Sequence, residues 1–203
     1  MKKGCPNSPF CNLLDPSTKE MLCRSATISH LSPKQILTHQ SEDQLEVIAK
    51  GALLKYTQFE DGSQESIDVL SEGDIIGEHL LLLGNPAFQS PHLMEGPHYS
   101  DFQTMALTDV TLCTYPIDIV RTLFDENREF SKAIIQTISQ HVLRLQINAM
   151  KVRTLNGTDK VVFVYNVLKN LGVDMSLITQ EDLALIVGVS RNTIVRALKT
   201  IKD

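Results

Sequence analysis

Hydrophobic and polar positions alternate in short segments through much of the first half of the chain. Strand-like segments separated by turn residues are predicted at 44–48, 52–57, 66–69, 105–107 and 110–115. The Asp-Gly pair between the second and third segments is typical of a hairpin turn. Several short strands at this spacing predict an antiparallel roll or barrel.

The segments around these strands are predicted from turn residues and helical spacing. Residues 1–16 are expected to be loop-like, because their glycine and prolines exclude a long helix. A helix is expected over 15–25, with Cys23 as a packing residue. A long loop is expected over 84–100, and an amphipathic helix over 158–172.

The end of the chain is predicted to form two short helices joined by a glycine turn. Thr179 is a favourable helix N-cap residue, and Glu181 and Asp182 lie in the first turn, where the helix dipole favours acids. The apolar run stops at Gly188, and a second capping residue follows at Ser190. This arrangement indicates a helix-turn-helix, whose second helix enters the DNA major groove.

An ordinary helical hairpin would give the same pattern, and the distribution of charge favours the DNA-binding interpretation. The 203-residue chain has a net charge of −5. Residues 151–203 carry eight basic against five acidic side chains, a balance of +3, which leaves −8 for residues 1–150. Positive charge is therefore concentrated around the hairpin, as contact with DNA phosphates requires.

The predicted second helix presents side chains that can read base pairs. An arginine side chain can form two hydrogen bonds with guanine, and an asparagine side chain can form two with adenine. Arg196 is therefore predicted to read a guanine and Asn192 an adenine. Ser190 and Thr193 are predicted to contact phosphates. The full set of predicted DNA-binding residues is Thr179, Gln180, Ser190, Arg191, Asn192, Thr193, Arg196 and Lys199.

Residues 121–153 form the longest predicted helix, and apolar side chains recur along it at alternating steps of three and four. Packing of this seam on the chain's own roll is one interpretation. We favour a coiled coil between two copies, because paired readers can meet a palindromic site. The predicted dimer-interface residues are Ile135, Ile138, Val142, Leu145, Ala149 and Val152.

Composition and motifs limit the class of protein. The chain is 42% hydrophobic and 21% charged, and no apolar run reaches the length that spans a membrane. Its N-terminus lacks the apolar core of a signal peptide, so we expect a cytoplasmic protein. We find no nucleophile elbow, Walker loop or paired-histidine motif, and therefore expect no enzyme. A module that recruits a partner protein is the alternative to a DNA-binding protein.

A roll, a long helix and a helix-turn-helix, in this order, resemble the Crp/Fnr family of transcription regulators. The resemblance implies an α+β protein that binds palindromic double-stranded DNA as a homodimer, with RNA polymerase as a further partner. The family's β-hairpin wing is missing after the second helix. The segments that carry the resemblance are 55–56 with 59–62, 73–78 (Gly-Asp-Ile-Ile-Gly-Glu) and 187–196.

The resemblance also divides the chain. It implies a cyclic-nucleotide-binding-like β-roll with an N-terminal cysteine arm at 1–120, a dimerisation helix at 121–153 and a helix-turn-helix domain at 154–203. Members that bind cyclic nucleotides have an arginine after the Gly-Glu pair, whereas residues 57–120 contain no Lys or Arg. Because burying a phosphate without a cation costs several kcal/mol, we do not expect cyclic-nucleotide dependence.

The cysteines imply a different effector. In the oxygen-sensing branch of the family, cysteines at positions like Cys5, Cys11 and Cys113 hold an iron–sulfur cluster, although Lys2 stands where a further ligand is found. The chain resembles more closely the FNR-like proteins (FLP) of lactic acid bacteria. That resemblance implies a dithiol/disulfide switch that joins Cys5 or Cys11 to Cys113. Zinc, held by these cysteines or by His79, His92 and His98, is a third expectation.

Overall fold

The computed structural model describes residues 6–37, 43–59, 62–81 and 102–202. Its strands are β1 Thr27–Leu31, β2 Gln44–Lys50, β3 Leu53–Gln58, β4 Gln64–Leu70, β5 Ile75–Ile76, β6 Phe102–Ala106 and β7 Val110–Pro116. Its helices are α1 Pro16–Ser25, α2 Ile117–Glu126, α3 Arg128–Thr154, α4 Gly157–Asn170, α5 Gln180–Val187 and α6 Arg191–Lys202, with short 3-10 helices at Phe10–Leu13 and Glu78–Leu81. The α+β fold predicted from the sequence is confirmed.

The strands form two antiparallel sheets that face each other as a roll. One sheet has the order β1-β7-β2-β5, and the other has the order β4-β3-β6. Ile48 and Leu112 of the first sheet and Leu53 of the second are fully buried in the core between the sheets. In β2, successive side chains enter different cores. Leu45 and Val47 pack in the cluster that includes residues of α2 and α3, whereas Ile48 lies between the sheets, so both faces of this strand are buried.

The structure contains two strands that were not predicted. β1 reads Thr-Ile-Ser-His-Leu, and of its five residues only Leu31 is buried. It pairs with β7 at the edge of the sheet, so backbone hydrogen bonds specify it more than a hydrophobic pattern does. β5 has two residues, which are too few to show a period. The predicted loop at 84–100 lies outside the described residues.

The long helix begins later than predicted. The sequence predicts one helix over 121–153, but α2 ends at Glu126 and α3 begins at Arg128. Asn127 separates them in an extended conformation, and its side chain accepts hydrogen bonds from the backbone of Glu129 and Phe130 at 3.1 and 3.0 Å. Asparagine competes for backbone donors in this way, so it starts a new helix where the hydrophobic pattern alone continues.

The C-terminal helices share a hydrophobic core with the roll. Buried Leu54 and Tyr56 belong to the same core cluster as Val161 of α4, Leu183 of α5 and Ile194 of α6. The Ser66 hydroxyl of β4 donates a hydrogen bond of 3.0 Å to the carbonyl of Ile186 in α5. The helix-turn-helix is therefore docked on the second sheet in this structure.

Within the described ranges, none of the helices combines the length and the apolar character that crossing a lipid bilayer would require.

Candidate nucleic-acid interface

The first helix of the helix-turn-helix starts with a complete capping box. The backbone N–H of Asp182 donates to the Thr179 hydroxyl at 3.0 Å, and the backbone N–H of Thr179 donates to the Asp182 carboxylate at 2.7 Å. Partial burial raises the pKa of Asp182, but hydrogen bonds from Lys34 and Thr179 outweigh it and hold the pKa below its usual value. The predicted N-cap is confirmed, and it uses the Thr179 side chain.

The turn between the two helices depends on glycine. Gly188 has φ +69°, and its backbone N–H donates to the carbonyl of Ala184 at 2.9 Å. A left-handed residue at this place is the usual way for a helix to end, and glycine adopts it without steric cost. The predicted stop at Gly188 is confirmed, and it sets the direction of the following helix.

The second helix, α6, has a buried face and an exposed face. Ile194 and Ala197 are fully buried, and Leu198 packs at the edge of the same core. The opposite face is exposed and carries Asn192 and Arg196, the two side chains predicted to read bases. Other exposed side chains include Arg191, Val195 and Lys199 of the helix, together with Ser190 before it.

The predicted DNA contacts differ in how they are held. Arg191 donates from Nε to Gln180 Oε1 at 3.2 Å and forms an ion pair with Glu181 at 2.9 Å. Both charged side chains of that pair are 65% exposed, so the pair is weak and exchangeable. Arg196 makes only long hydrogen bonds, to the Asn192 carbonyl at 3.4 Å and the Thr193 hydroxyl at 3.5 Å. Both guanidinium groups can therefore reorient toward DNA at a small cost in free energy.

The structure divides the predicted dimer-interface residues into three groups. Ile135 and Val142 are 56% and 44% exposed on α3. Ile138 packs against the core beside the first sheet. The remaining three residues line a cavity inside the same chain. Those three are Leu145, Ala149 and Val152.

Sequence reasoning missed three exposed apolar residues on α3, because it followed a strict heptad. A straight helix has 3.6 residues per turn, so its exposed face moves by ~20° in each heptad relative to that pattern. With Ile135 and Val142, these residues form what we call the apolar stripe. The three are Leu143 at 55%, Ile147 at 44% and Met150 at 69% exposure.

The described cysteines are buried reduced thiols. Cys11 is 3% exposed, and Cys23 and Cys113 are each 1% exposed. The expectation of a loop-like arm is wrong at Cys11, which lies in the 3-10 helix Phe10–Leu13. Phe10 anchors that helix by an edge-to-face contact with Phe130, with ring centroids 6.2 Å apart. Cys5 lies outside the described residues.

The structure does not bring the side chains predicted as zinc ligands together within the ranges that it describes. No three His, Cys, Asp or Glu side chains in those ranges lie close enough to hold an ion. The Cys11 sulfur accepts a hydrogen bond from the Ser8 hydroxyl at 3.2 Å. His79 is described, whereas His92 and His98 lie outside the described residues.

Sequence reasoning also missed a cation in the roll. Lys55 follows buried Leu53 on β3, and its ammonium lies 4.9 Å from the centroid of the Phe102 ring. Burial lowers the pKa of Lys55, while the charges of Glu78 and Asp68 oppose that shift. The signal was present in the sequence, because this lysine immediately precedes the long stretch without basic residues.

Two further side chains of the roll, His79 and Glu46, have shifted pKa values. Burial, assisted by the charge of Lys55, lowers the pKa of His79 to about 4. Burial also raises the pKa of Glu46 to about 7, against a hydrogen bond from Thr114 that lowers it. His79 is therefore neutral at neutral pH, and Lys55 supplies positive charge close to Glu78.

Comparison with known proteins identifies the same architecture elsewhere. No family model matches the chain. The cAMP-activated global transcriptional regulator CRP of Salmonella typhimurium is 28% identical over 199 residues, which cover 92% of this chain and 87% of the relative.

Two solved structures share the fold. The c-di-GMP-responsive regulator CLP of Xanthomonas campestris has a TM-score of 0.66 and 16% identity, covering 93% of this chain and 92% of its own. A Crp/Fnr-family transcriptional regulator of Eubacterium rectale has a TM-score of 0.67 and 15% identity, covering 96% and 86%. The chain is therefore similar along nearly its whole length to a transcriptional regulator of the CRP type, and it shares the fold of these two solved structures.

Proposed function

We propose that this protein is a transcription regulator that binds specific double-stranded DNA through α6. The observation that carries the proposal is the two-sided character of α6. Ile194 and Ala197 fix one face in the protein core, and the other face presents Arg191, Asn192 and Arg196 to solvent. A buried face orients the helix, and an exposed face with these side chains suits the edges of bases in the major groove.

The proposed regulator is a homodimer that reads a palindrome. The apolar stripe of α3 supports this, because five large apolar side chains on one exposed helix face have a free-energy reason to be covered. A second copy of α3 would cover the stripe and bring two recognition helices to one site. RNA polymerase is the further partner that activation of transcription would need.

The regulator is proposed to work without a cyclic nucleotide. The Salmonella relative is named for activation by cAMP. In this chain the Gly-Glu pair is kept at Gly77 and Glu78, but no basic residue follows it before Arg121. Arg121 donates to the carbonyl of Leu80 at 2.7 and 3.2 Å, and the charge of Glu78 acts on partly buried Lys55. These contacts leave a cyclic phosphate with no dedicated cation among the described side chains.

A thiol switch of the FLP type is the proposed regulatory chemistry. Phe10, which precedes Cys11, packs in the core cluster that contains Cys113. Oxidation by a peroxide would join the two sulfurs, with loss of two protons and two electrons, while the peroxide is reduced to water. An iron–sulfur cluster or zinc on Cys5, Cys11 and Cys113 is the alternative, and metal analysis of the purified protein distinguishes the two.

The switch can be tested by comparing buried cysteines. Peroxide-treated protein is digested without reduction, and the peptides are examined by mass spectrometry. We expect a peptide pair joined through Cys113, and loss of the redox response of DNA binding in Cys113→Ser. Cys23→Ser is the matched control, because Cys23 is buried to the same extent. A full redox response in Cys113→Ser would refute the switch.

DNA binding itself is tested by electrophoretic mobility shift on a pool of duplexes at several salt concentrations. We expect an affinity that falls steeply with salt, because binding releases counterions from phosphates. Arg196→Ala should weaken binding by ~1–3 kcal/mol. Arg128→Ala, which removes an exposed arginine at the start of α3, should not. No shift at any salt concentration would favour a module that recruits a partner protein.

A further inference from the structure

A cavity of about 260 Å³ lies where the roll, α3 and the helix-turn-helix domain meet. Its walls include Leu54 of β3, Val69 of β4, Leu145 of α3, Phe163 and Val167 of α4, and Ile186 of α5. Exposed Ile67 and Ala149 also line it, so the cavity opens to solvent. Small-molecule sites are typically concave, mostly apolar spaces between structural units, and this cavity has that character.

This cavity is separate from the interior of the roll. Leu54 and Val69 are paired neighbours on β3 and β4, and both pack with the C-terminal helices. The residues beside them, Leu53 and Leu70, also pair with each other but pack between the two sheets. Since successive side chains of a strand point to opposite faces, the cavity lies on the outer face of the second sheet.

The lining also contains polar side chains, and its charges are already matched. Asp68, Arg144 and Asn148 are among these polar residues. His141 donates to the Asp68 carboxylate at 2.5 Å, and Arg144 donates to the Asp74 carboxylate at 2.5 Å. Each cation therefore has its own carboxylate. An ionised ligand would be buried without a counter-charge, whereas a neutral hydroxyl or amide can bond to Asn148 or Arg144.

We infer that this cavity is a binding site for a small, neutral, mainly apolar molecule with one hydrogen-bonding group, of the size and chemistry of a simple phenol. An apolar cavity of ~150 Å³ is large enough for benzene, so this one has room for a substituted ring. The ring would contact the apolar walls, and its hydroxyl would form a hydrogen bond with Asn148.

Occupancy of this site bears on DNA binding, and this second part of the inference rests on the proposed function. The walls come from β4, from α3 and from the helices that carry the recognition helix. A molecule in the cavity therefore contacts the sensor, the central helix and the DNA-binding domain at once. A ligand that contacts all three favours one relative position of these units.

The site is tested with 4-methylphenol as the probe, titrated into the full chain without DNA by isothermal calorimetry. We expect saturable binding. Val167→Phe fills the cavity from α4 and should weaken binding at least about tenfold. Val162→Phe is the matched control, because Val162 lies on the same helix outside the cavity lining and should leave binding unchanged.

Polar recognition is tested with Asn148→Leu. This change should weaken binding of 4-methylphenol about fivefold, through the loss of one hydrogen bond, and leave binding of toluene unchanged. Circular dichroism checks that each variant is folded. Absence of saturable binding up to millimolar probe, or equal binding by the folded Val167→Phe and Val162→Phe variants, would overturn the inference.

The effect on DNA is measured separately, as mobility shift with and without 4-methylphenol. We expect the probe to change the affinity of the wild-type protein and not that of Val167→Phe. If the protein binds no DNA but still binds the probe, the proposed function fails and the binding site stands. Unaltered DNA affinity at saturating probe would overturn the coupling alone.

Discussion

Replacing His141 tests the contact between α3 and the roll. His141 Nε2 lies 2.5 Å from Asp68 Oδ2, and the two side chains are only 16% and 9% exposed. The hydrogen bond with Asp68 raises the pKa of His141 above its ordinary value, although burial opposes the shift. The charges of Asp68 and Asp74 add to the rise, and that of Arg144 reduces it.

The sign of the pH dependence follows from the raised pKa. A histidine whose pKa is higher in the folded than in the unfolded protein adds stability that is complete below the unfolded pKa of ~6.5. That stability is lost as the pH rises through the folded pKa. Hydrogen bonds that involve a charged group contribute ~1.5–3 kcal/mol, so we expect His141→Gln to lower the free energy of unfolding by about that amount at pH 6.

Urea unfolding of the wild type and of His141→Gln at pH 6 and pH 9 measures this difference. The gap between the two proteins should be smaller at pH 9 than at pH 6. His30→Gln is the control, because His30 is exposed and should change stability by no more than ~0.5 kcal/mol at either pH. A gap that is equal at both pH values, or larger at pH 9, would refute the reasoning.

Three further changes test other parts of the structure. Gly188→Ala places a side chain at φ +69° and should lower the free energy of unfolding by ~1 kcal/mol in thermal denaturation. Gly172→Ala, at φ +77° after α4, should lower it by a similar amount but leave DNA affinity unchanged. Leu143→Glu puts a charge in the apolar stripe and should shift sedimentation toward the monomer, whereas Asn166→Glu, at an exposed position of α4, should not. Addition of cAMP should leave DNA affinity within a factor of about two, and a tenfold rise (~1.4 kcal/mol) would contradict the proposed independence.

The helix-turn-helix was predictable because its signals are local. Thr179, Asp182 and Gly188 specify a helix start and a helix end within ten residues, and each makes the backbone contact that its residue type favours. The break at Asn127 was equally local, but the apolar pattern on both sides concealed it. Local signals therefore located α6 correctly and misplaced the start of α3.

The features that depend on distant parts of the chain were not predictable. β1 is specified by its pairing with β7, which lies 79 to 87 positions later in the chain. The burial of Leu145 depends on where α4 and the second sheet lie, and the charge near Lys55 depends on Glu78 and Asp68. A single sequence contains the residues of these sites but not the distances between them.

The central claim is that α6 reads DNA bases from its exposed face, as one of a pair. Selection of bound sequences from random DNA duplexes, followed by sequencing, tests this with the wild type, Asn192→Ala and Asn170→Ala. Asn170 is an exposed asparagine at the end of α4 and serves as the control position. We expect a two-fold symmetric DNA site whose half-sites lie ~34 Å apart. Asn192→Ala should lose the preference for adenine at one position of each half-site, and Asn170→Ala should select the same site as the wild type. An asymmetric site, or the same site with all three proteins, would contradict the central claim.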